Sequence, residues 1–214
     1  MFITFEGVEG AGKTTAIEAV ARHLTACGEK VCRTREPGGC PLGQQLRSLL
    51  LSAQTRLDPL AELHLFLADR AQHVAEVIRP ALADGAIVLC DRFTDSTLAY
   101  QGFARHLDLD MLRTLNKSAT GDLEPDLTLI LDLPVQEGLR RVAERRRQTG
   151  CTGEGRIDDE QLSFHEAVRK GFLFIAEQAP SRVCLLDAGR PREEVLAACL
   201  EAIAAHRPGL GLVQ

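Results

Sequence analysis

Five short apolar runs, at residues 2–6, 30–34, 86–91, 127–133 and 182–187, alternate with longer stretches whose apolar residues recur at helical spacing. Runs such as Leu127-Thr128-Leu129-Ile130-Leu131 are apolar without clean alternation, which suits strands covered on both faces. The intervening pattern predicts helices at about 13–27, 41–52, 58–84, 108–119, 135–147, 159–178 and 191–206. Gly28 and Gly85 stand where helix C-terminal glycines belong, and Pro59 and Pro191 stand near helix starts. Strand–helix alternation predicts right-handed crossovers and an α/β fold, a doubly wound five-stranded parallel sheet flanked by helices. No internal repeat is present. One composition shift interrupts the pattern: residues 148–155 hold three glycines in eight positions, directly after Arg145-Arg146-Arg147. Helical pattern resumes beyond it, so it reads as a hinge or mobile lid inside one domain spanning 1–214.

Composition narrows the class. With 214 residues, 45% hydrophobic and 26% charged, the chain is long enough for one core and is globular in character. No apolar run reaches the roughly 18–20 residues of a membrane span. The first strand-like run begins at Phe2, leaving no room for a signal peptide. Seven cysteines are scattered singly, with no metal-binding spacing, and read as reduced thiols of a cytoplasmic protein. A net charge of −5, a short basic run and 4% aromatics leave no legible nucleic-acid surface.

Gly7-Val8-Glu9-Gly10-Ala11-Gly12-Lys13-Thr14 fits GxxxxGK[ST], after the first strand and at the opening of the first helix. Glycines let the backbone wrap phosphates with its N–H groups inward, and the helix N-terminus adds positive potential. The loop, continued by Thr15, is the expected nucleotide-binding segment. Lys13 would reach the β- and γ-phosphates, and the Thr14 hydroxyl would help hold Mg²⁺ beside ATP.

Further candidates sit at strand ends, where ligands bind in such sheets. Asp91 and Arg92 end the third strand. Asp91 is placed to approach Mg²⁺ and Arg92 a second anion, although a helix cap and a surface ion pair fit the same residues. Arg35-Glu36-Pro37-Gly38-Gly39 follows the second strand. Phe66 and Arg70, four residues apart, share a helix face and suit stacking on a base and bonding its edge. A core ring and a solvated guanidinium fit them as well. Ser96, Thr97, Tyr100 and Gln101 add hydroxyl and amide groups on what reads as a polar helix.

Thr34-Arg35-Glu36-Pro37-Gly38-Gly39, Asp91-Arg92-Phe93 with Ser96 and Ala99-Tyr100-Gln101-Gly102, and Pro125-Asp126-Leu127-Thr128-Leu129 together resemble bacterial thymidylate kinases. The resemblance runs in order through residues 2–190. It implies a P-loop NTPase that transfers the γ-phosphoryl group of ATP to dTMP, giving dTDP and ADP on the way to dTTP. It implies that Phe66 stacks on thymine, that Arg70 and Gln101 read its edge, and that Ser96 or Thr97 assists. It places Glu9 near the sugar 3′-hydroxyl, Tyr100 against the 2′ position, and Arg92 with Arg47 on the thymidylate phosphate, with Glu36 in the same substrate site. Relatives carrying a basic residue in the phosphate loop have it where Gly10 stands here, so the catalytic guanidinium is expected from the lid, at about 145–158, with Arg156 as its bearer. A homodimer built on helices, including the 58–84 stretch, is also implied. Phe103-Ala104-Arg105-His106 and Phe93 depart from the common family pattern. Two alternatives stand beside this reading: a kinase for another nucleoside monophosphate, and a nucleotide-dependent switch.

Overall fold

The computed structural model describes residues 1–149 and 155–207; residues 150–154, the centre of the expected lid, and 208–214 lie outside the described residues. Five strands, β1 (Phe2–Glu6), β2 (Val31–Arg35), β3 (Ile87–Asp91), β4 (Leu127–Asp132) and β5 (Val183–Asp187), form one sheet in the order β2-β3-β1-β4-β5. Every neighbouring pair is parallel. The chain starts in the middle, runs out to β2, returns through β3, and then crosses β1 to reach β4 and β5. That reversal opens a crevice at the C-terminal ends of the central strands.

Burial follows this order. β1 is buried throughout, and β3 and β4 are buried except at their last residues, Asp91 and Asp132. The edge strands β2 and β5 are partly exposed. The continuous apolar run in β4 is therefore explained by helices on both faces. Two threonines interrupt the apolar centre. Thr4 Oγ1 and Thr128 Oγ1 lie 2.8 Å apart, and Thr128 donates to Asp95, which is also held by Arg182. Each polar group in this buried seam thus has a partner.

The helices are α1 (Lys13–Ala26), α2 (Pro41–Leu51), α3 (Pro59–His73), α4 (Arg79–Ala83), α5 (Thr94–Thr97), α6 (Leu109–Thr120), α7 (Val135–Thr149), α8 (Leu162–Gln178) and α9 (Arg192–His206). Asp58 caps α3 through Leu60 N and Asp108 caps α6 through Met111 N, both at 2.8 Å. The single helix expected at 58–84 is broken by a π-helical turn, Val74–Ile78. Pro80 lies just beyond it. A proline lacks the N–H for the α-helical ladder and crowds the carbonyl four residues back, which accounts for the widened turn. A second π turn, Leu98–Ala104, follows α5 and carries Tyr100 and Gln101. The helix expected from 159 starts at Leu162, because residues before it are taken up in turns.

α8 packs closely on this second π turn at Gly171, where an added Cβ would lie 2.9 Å from Ala99 Cα and 3.0 Å from the Phe103 ring. Gly171→Ala should therefore destabilise the fold by about 1–3 kcal/mol through overpacking. Urea denaturation measures this, and an unchanged midpoint would refute the contact.

Candidate active site

The phosphate loop connects β1 to α1. α1 begins after Gly12, whose φ of 89° is left-handed, and no side chain caps the helix. Its first N–H groups are therefore available to an anion. Lys13 Nζ donates to Gly7 O at 3.0 Å and to Val8 O at 2.9 Å. Burial lowers its pKa to about 8, and the adjacent Arg92 acts in the same direction. Thr14 Oγ1 donates to Asp91 Oδ2 at 2.8 Å, so the first turn of α1 meets the end of β3. Gly10 has φ 73°, and a Cβ there would lie 2.1 Å from the carbonyl oxygen of Gly138 on α7. No side chain fits at position 10 while α7 holds that place.

Arg92 adopts φ 72°, a left-handed conformation costing of order 1–3 kcal/mol for a non-glycine residue. Three contacts hold it there. Its N–H donates to Phe5 O at 3.0 Å, the next N–H, of Phe93, donates to Glu6 Oε1 at 2.7 Å, and Cys90 Sγ donates to its carbonyl at 3.1 Å. The side chain donates to Gly7 O, Ser96 Oγ and Glu9 Oε1, and lies 4.9 Å over the Tyr100 ring. Ser96 in turn donates to Glu6 Oε2 at 2.6 Å. Burial pushes the Glu6 carboxyl up to about 7, with Asp95 adding to the effect. Glu9 behaves oppositely: burial would raise it, but the hydrogen bond from His165 and the charges of Arg92 and Lys13 hold it at about 2.

Phe66 and Arg70 come from α3; the ring is half-buried and the guanidinium buried, and both line the same cleft as the phosphate loop. Arg70 donates to Glu36 Oε2, Thr97 Oγ1, Asn116 Oδ1 and Phe93 O at 2.6–2.9 Å. Glu36 Oε1 also lies 2.9 Å from His73 Nδ1, while the other nitrogen of His73 meets Thr34 Oγ1. Arg47 donates to Pro37 O. Gln101 Nε2 donates to Glu62 Oε1 at 2.7 Å.

The resulting cleft has a volume of about 1030 Å³. Of the sequence-derived candidates, Glu9, Gly10, Lys13, Thr14, Asp91 and Arg92 line its phosphate-loop side. Glu36, Arg47, Phe66, Arg70, Ser96, Thr97, Tyr100 and Gln101 line it as well. Gly7, Val8, Ala11, Gly12 and Thr15 shape the loop without lining the cleft. Arg156 is not brought there. Its N–H groups donate to Leu51 O, Leu50 O and Glu62 Oε2, which pin it between α2 and α3. Arg145 and Arg146 of α7 line the cleft instead, with Arg146 paired to Asp158 and Asp159. Sequence reasoning missed Glu6, Glu62 and His165. Glu6 and Glu62 carry no motif of their own, and His165 lies 156 positions from Glu9.

A family model described as thymidylate kinase matches residues 5–199. The chain is 58% identical over 216 residues to a thymidylate kinase of Desulfovibrio desulfuricans, covering 99% of this chain and 100% of that one. It is 54% identical over 187 residues to a thymidylate kinase of Geobacter sulfurreducens, covering 87% and 88%. A crystal structure of thymidylate kinase from Ehrlichia chaffeensis superposes with a TM-score of 0.75 at 35% identity, covering 95% of this chain and 98% of that one.

The Glu6 environment sets a pH dependence. Its pKa, about 7 against an ordinary 4.5, means the folded chain keeps a proton that the unfolded chain releases. The stability this contributes is complete at low pH and is lost as pH rises through about 7. Relative to Glu6→Gln, the unsubstituted protein should lose about 3 kcal/mol of stability between pH 5 and pH 8. Urea titrations across that range read the difference, and a flat difference would rule out an ionisable Glu6 in this environment.

Proposed function

The chain belongs to the thymidylate kinase family, and we propose that it transfers the γ-phosphoryl group of ATP to the 5′-phosphate of dTMP, giving dTDP and ADP. The observation that carries this reading is one cleft holding both a phosphate loop and, joined to it through Arg92, an aromatic–guanidinium–amide set suited to a base. In the transfer, an oxygen of the thymidylate phosphate bonds to the γ-phosphorus as its bond to the bridging oxygen of ADP breaks. Such a loose transition state asks for positioning and charge neutralisation rather than a covalent intermediate. Lys13 and the α1 N-terminus suit the ATP phosphates. Arg92, preorganised by Phe5 O and Glu6, suits the thymidylate phosphate, with Arg47 assisting. Glu9 and Tyr100, bonded to each other, suit the sugar edge, and Phe66 suits the base face.

Thr14 and Asp91 present adjacent oxygen donors beside the loop, the hard ligand type that Mg²⁺ takes in one or two protein contacts. When bound, the ion would neutralise phosphate charge. Arg156 is assigned the guanidinium at the transferring group, for which it exchanges Glu62. The cleft-lining position of Arg145 and Arg146 favours a second reading in which those two supply the charge. Exposed Leu42, Leu49 and Leu60 on α2 and α3 support a homodimer through these helices. We further assign one kinase domain with its lid at about 145–158, and a cytoplasmic location in keeping with the free thiols of the described cysteines.

ADP release from Mg-ATP, measured against dTMP, dUMP, UMP, CMP, AMP, GMP and thymidine, tests the reading. Strong turnover with dTMP and almost none with thymidine is expected; preference for another monophosphate would overturn the acceptor. Chelation of Mg²⁺ with EDTA should abolish turnover. Arg156→Ala should lower kcat by about tenfold or more while leaving KM for dTMP nearly unchanged. Unchanged kcat there, with a loss in Arg145→Ala or Arg146→Ala, would transfer the role to α7.

A further inference from the structure

Glu62 has no place in any motif, yet it is only 1% exposed and meets side chains from two separate segments. Its Oε1 accepts from Gln101 Nε2 at 2.7 Å, and its Oε2 accepts from Arg156 Nη1 at 2.7 Å. Arg105 spans both oxygens at 3.3–3.4 Å. Burial would favour the neutral acid, but the Gln101 bond and the charges of Arg105 and Arg156 lower its pKa, so the group is a carboxylate. A carboxylate only accepts hydrogen bonds. The Gln101 amide therefore has one admissible orientation: its nitrogen toward Glu62 and its oxygen away from it. The reverse would press a carbonyl oxygen against a buried anion.

The consequence falls in the cleft, which Gln101 and Arg70 both line. A guanidinium carries five N–H donors. Arg70 has given one each to Glu36, Thr97, Asn116 and Phe93 O, and one N–H is left. The wall thus offers a donor from Arg70 and an acceptor from Gln101 Oε1. A base edge with a carbonyl beside a ring N–H, as in thymine and uracil, matches that pair. Cytosine presents an amino group beside a bare ring nitrogen and mismatches both.

We propose that Glu62 is a specificity-determining positioning residue, which fixes the Gln101 amide with its oxygen toward the base and thereby excludes cytosine nucleotides. This rests on the thymidylate reading above and adds to it the source of discrimination between pyrimidines. The neutral variant Glu62→Gln can donate as well as accept, and so frees the Gln101 amide to rotate.

The test compares kcat/KM for dTMP and dCMP in the unsubstituted enzyme, Glu62→Gln and Glu62→Asp, with circular dichroism to verify folding. In Glu62→Gln the dTMP-to-dCMP ratio should fall by roughly tenfold or more, mainly through KM. Glu62→Asp keeps a carboxylate and should retain most of the ratio. Equal losses for both substrates in a folded Glu62→Gln would mean a merely structural carboxylate and overturn the proposal. Should that variant fail to fold, NMR of the unsubstituted enzyme decides. Gln101 side-chain N–H protons close to bound dTMP would overturn the proposal, whereas their absence from the base, with a bond to Glu62 retained, supports it. No dTMP turnover by the unsubstituted enzyme would sink the thymidylate reading itself; turnover with an unaltered ratio sinks only the role of Glu62.

Discussion

The phosphate loop and the start of α7 meet backbone to backbone: a Cβ at Gly10 would lie 2.1 Å from Gly138 O, and a Cβ at Gly138 would lie 2.3 Å from Glu9 O. Much of the site depends on that contact. It keeps position 10 free of any side chain. It also fixes α7, whose later turns carry Arg145 and Arg146 into the cleft. Glu9, between the two glycine contacts, is held where His165, Arg92 and Tyr100 converge on its carboxylate.

Two buried carboxyl groups beside the phosphate loop, Glu6 and Glu9, are balanced differently. Around Glu9 the balance favours ionisation, because Arg92, Lys13 and His165 outweigh desolvation. Around Glu6 it does not, although Ser96 and the Phe93 N–H both donate to that carboxyl. Removing one member of such a cluster leaves the others buried without partners, which costs far more than the pair contributes. The two carboxyl groups are three residues apart and hold the same arginine from different sides. Glu9 bonds the guanidinium, and Glu6 bonds the backbone that forces Arg92 into its left-handed turn.

The sheet and the phosphate loop were legible because strand periodicity, glycine spacing and a helix start are local signals. The expected strands at 2–6 and 127–133 match β1 and β4 to within one residue at each end. The π turns were not legible, since apolar spacing cannot distinguish 3.6 residues per turn from one locally widened turn. Four-residue spacing raised Phe66 and Arg70 but fitted a core ring and a solvated guanidinium as well; the family resemblance gave them a role at the base, and the structure brings both to the cleft. Glu62 and His165 were not legible, because each acts on a residue far away in sequence and neither stands in a recognisable pattern. Arg156 shows the reverse limit. A motif position indicates where a side chain belongs in the chain, but its partners here, Leu50 O and Glu62, are set by packing between α2 and α3.

Under the proposed function, one carboxylate would serve two parts of the reaction cycle. Glu62 holds the amide of Gln101 on the base side and the guanidinium of Arg156 on the lid side. Were Arg156 to leave for the phosphates, Glu62 would lose a cationic neighbour but keep Arg105, itself braced by Glu160 and by the Phe164 ring. The carboxylate would stay paired and the Gln101 amide would stay fixed. On that reading Arg105 would let the lid arginine exchange partners without loosening the base site. With a single cationic partner for Glu62, the proposed base recognition would be tied to lid position, whereas two cations on Glu62 would keep them separable.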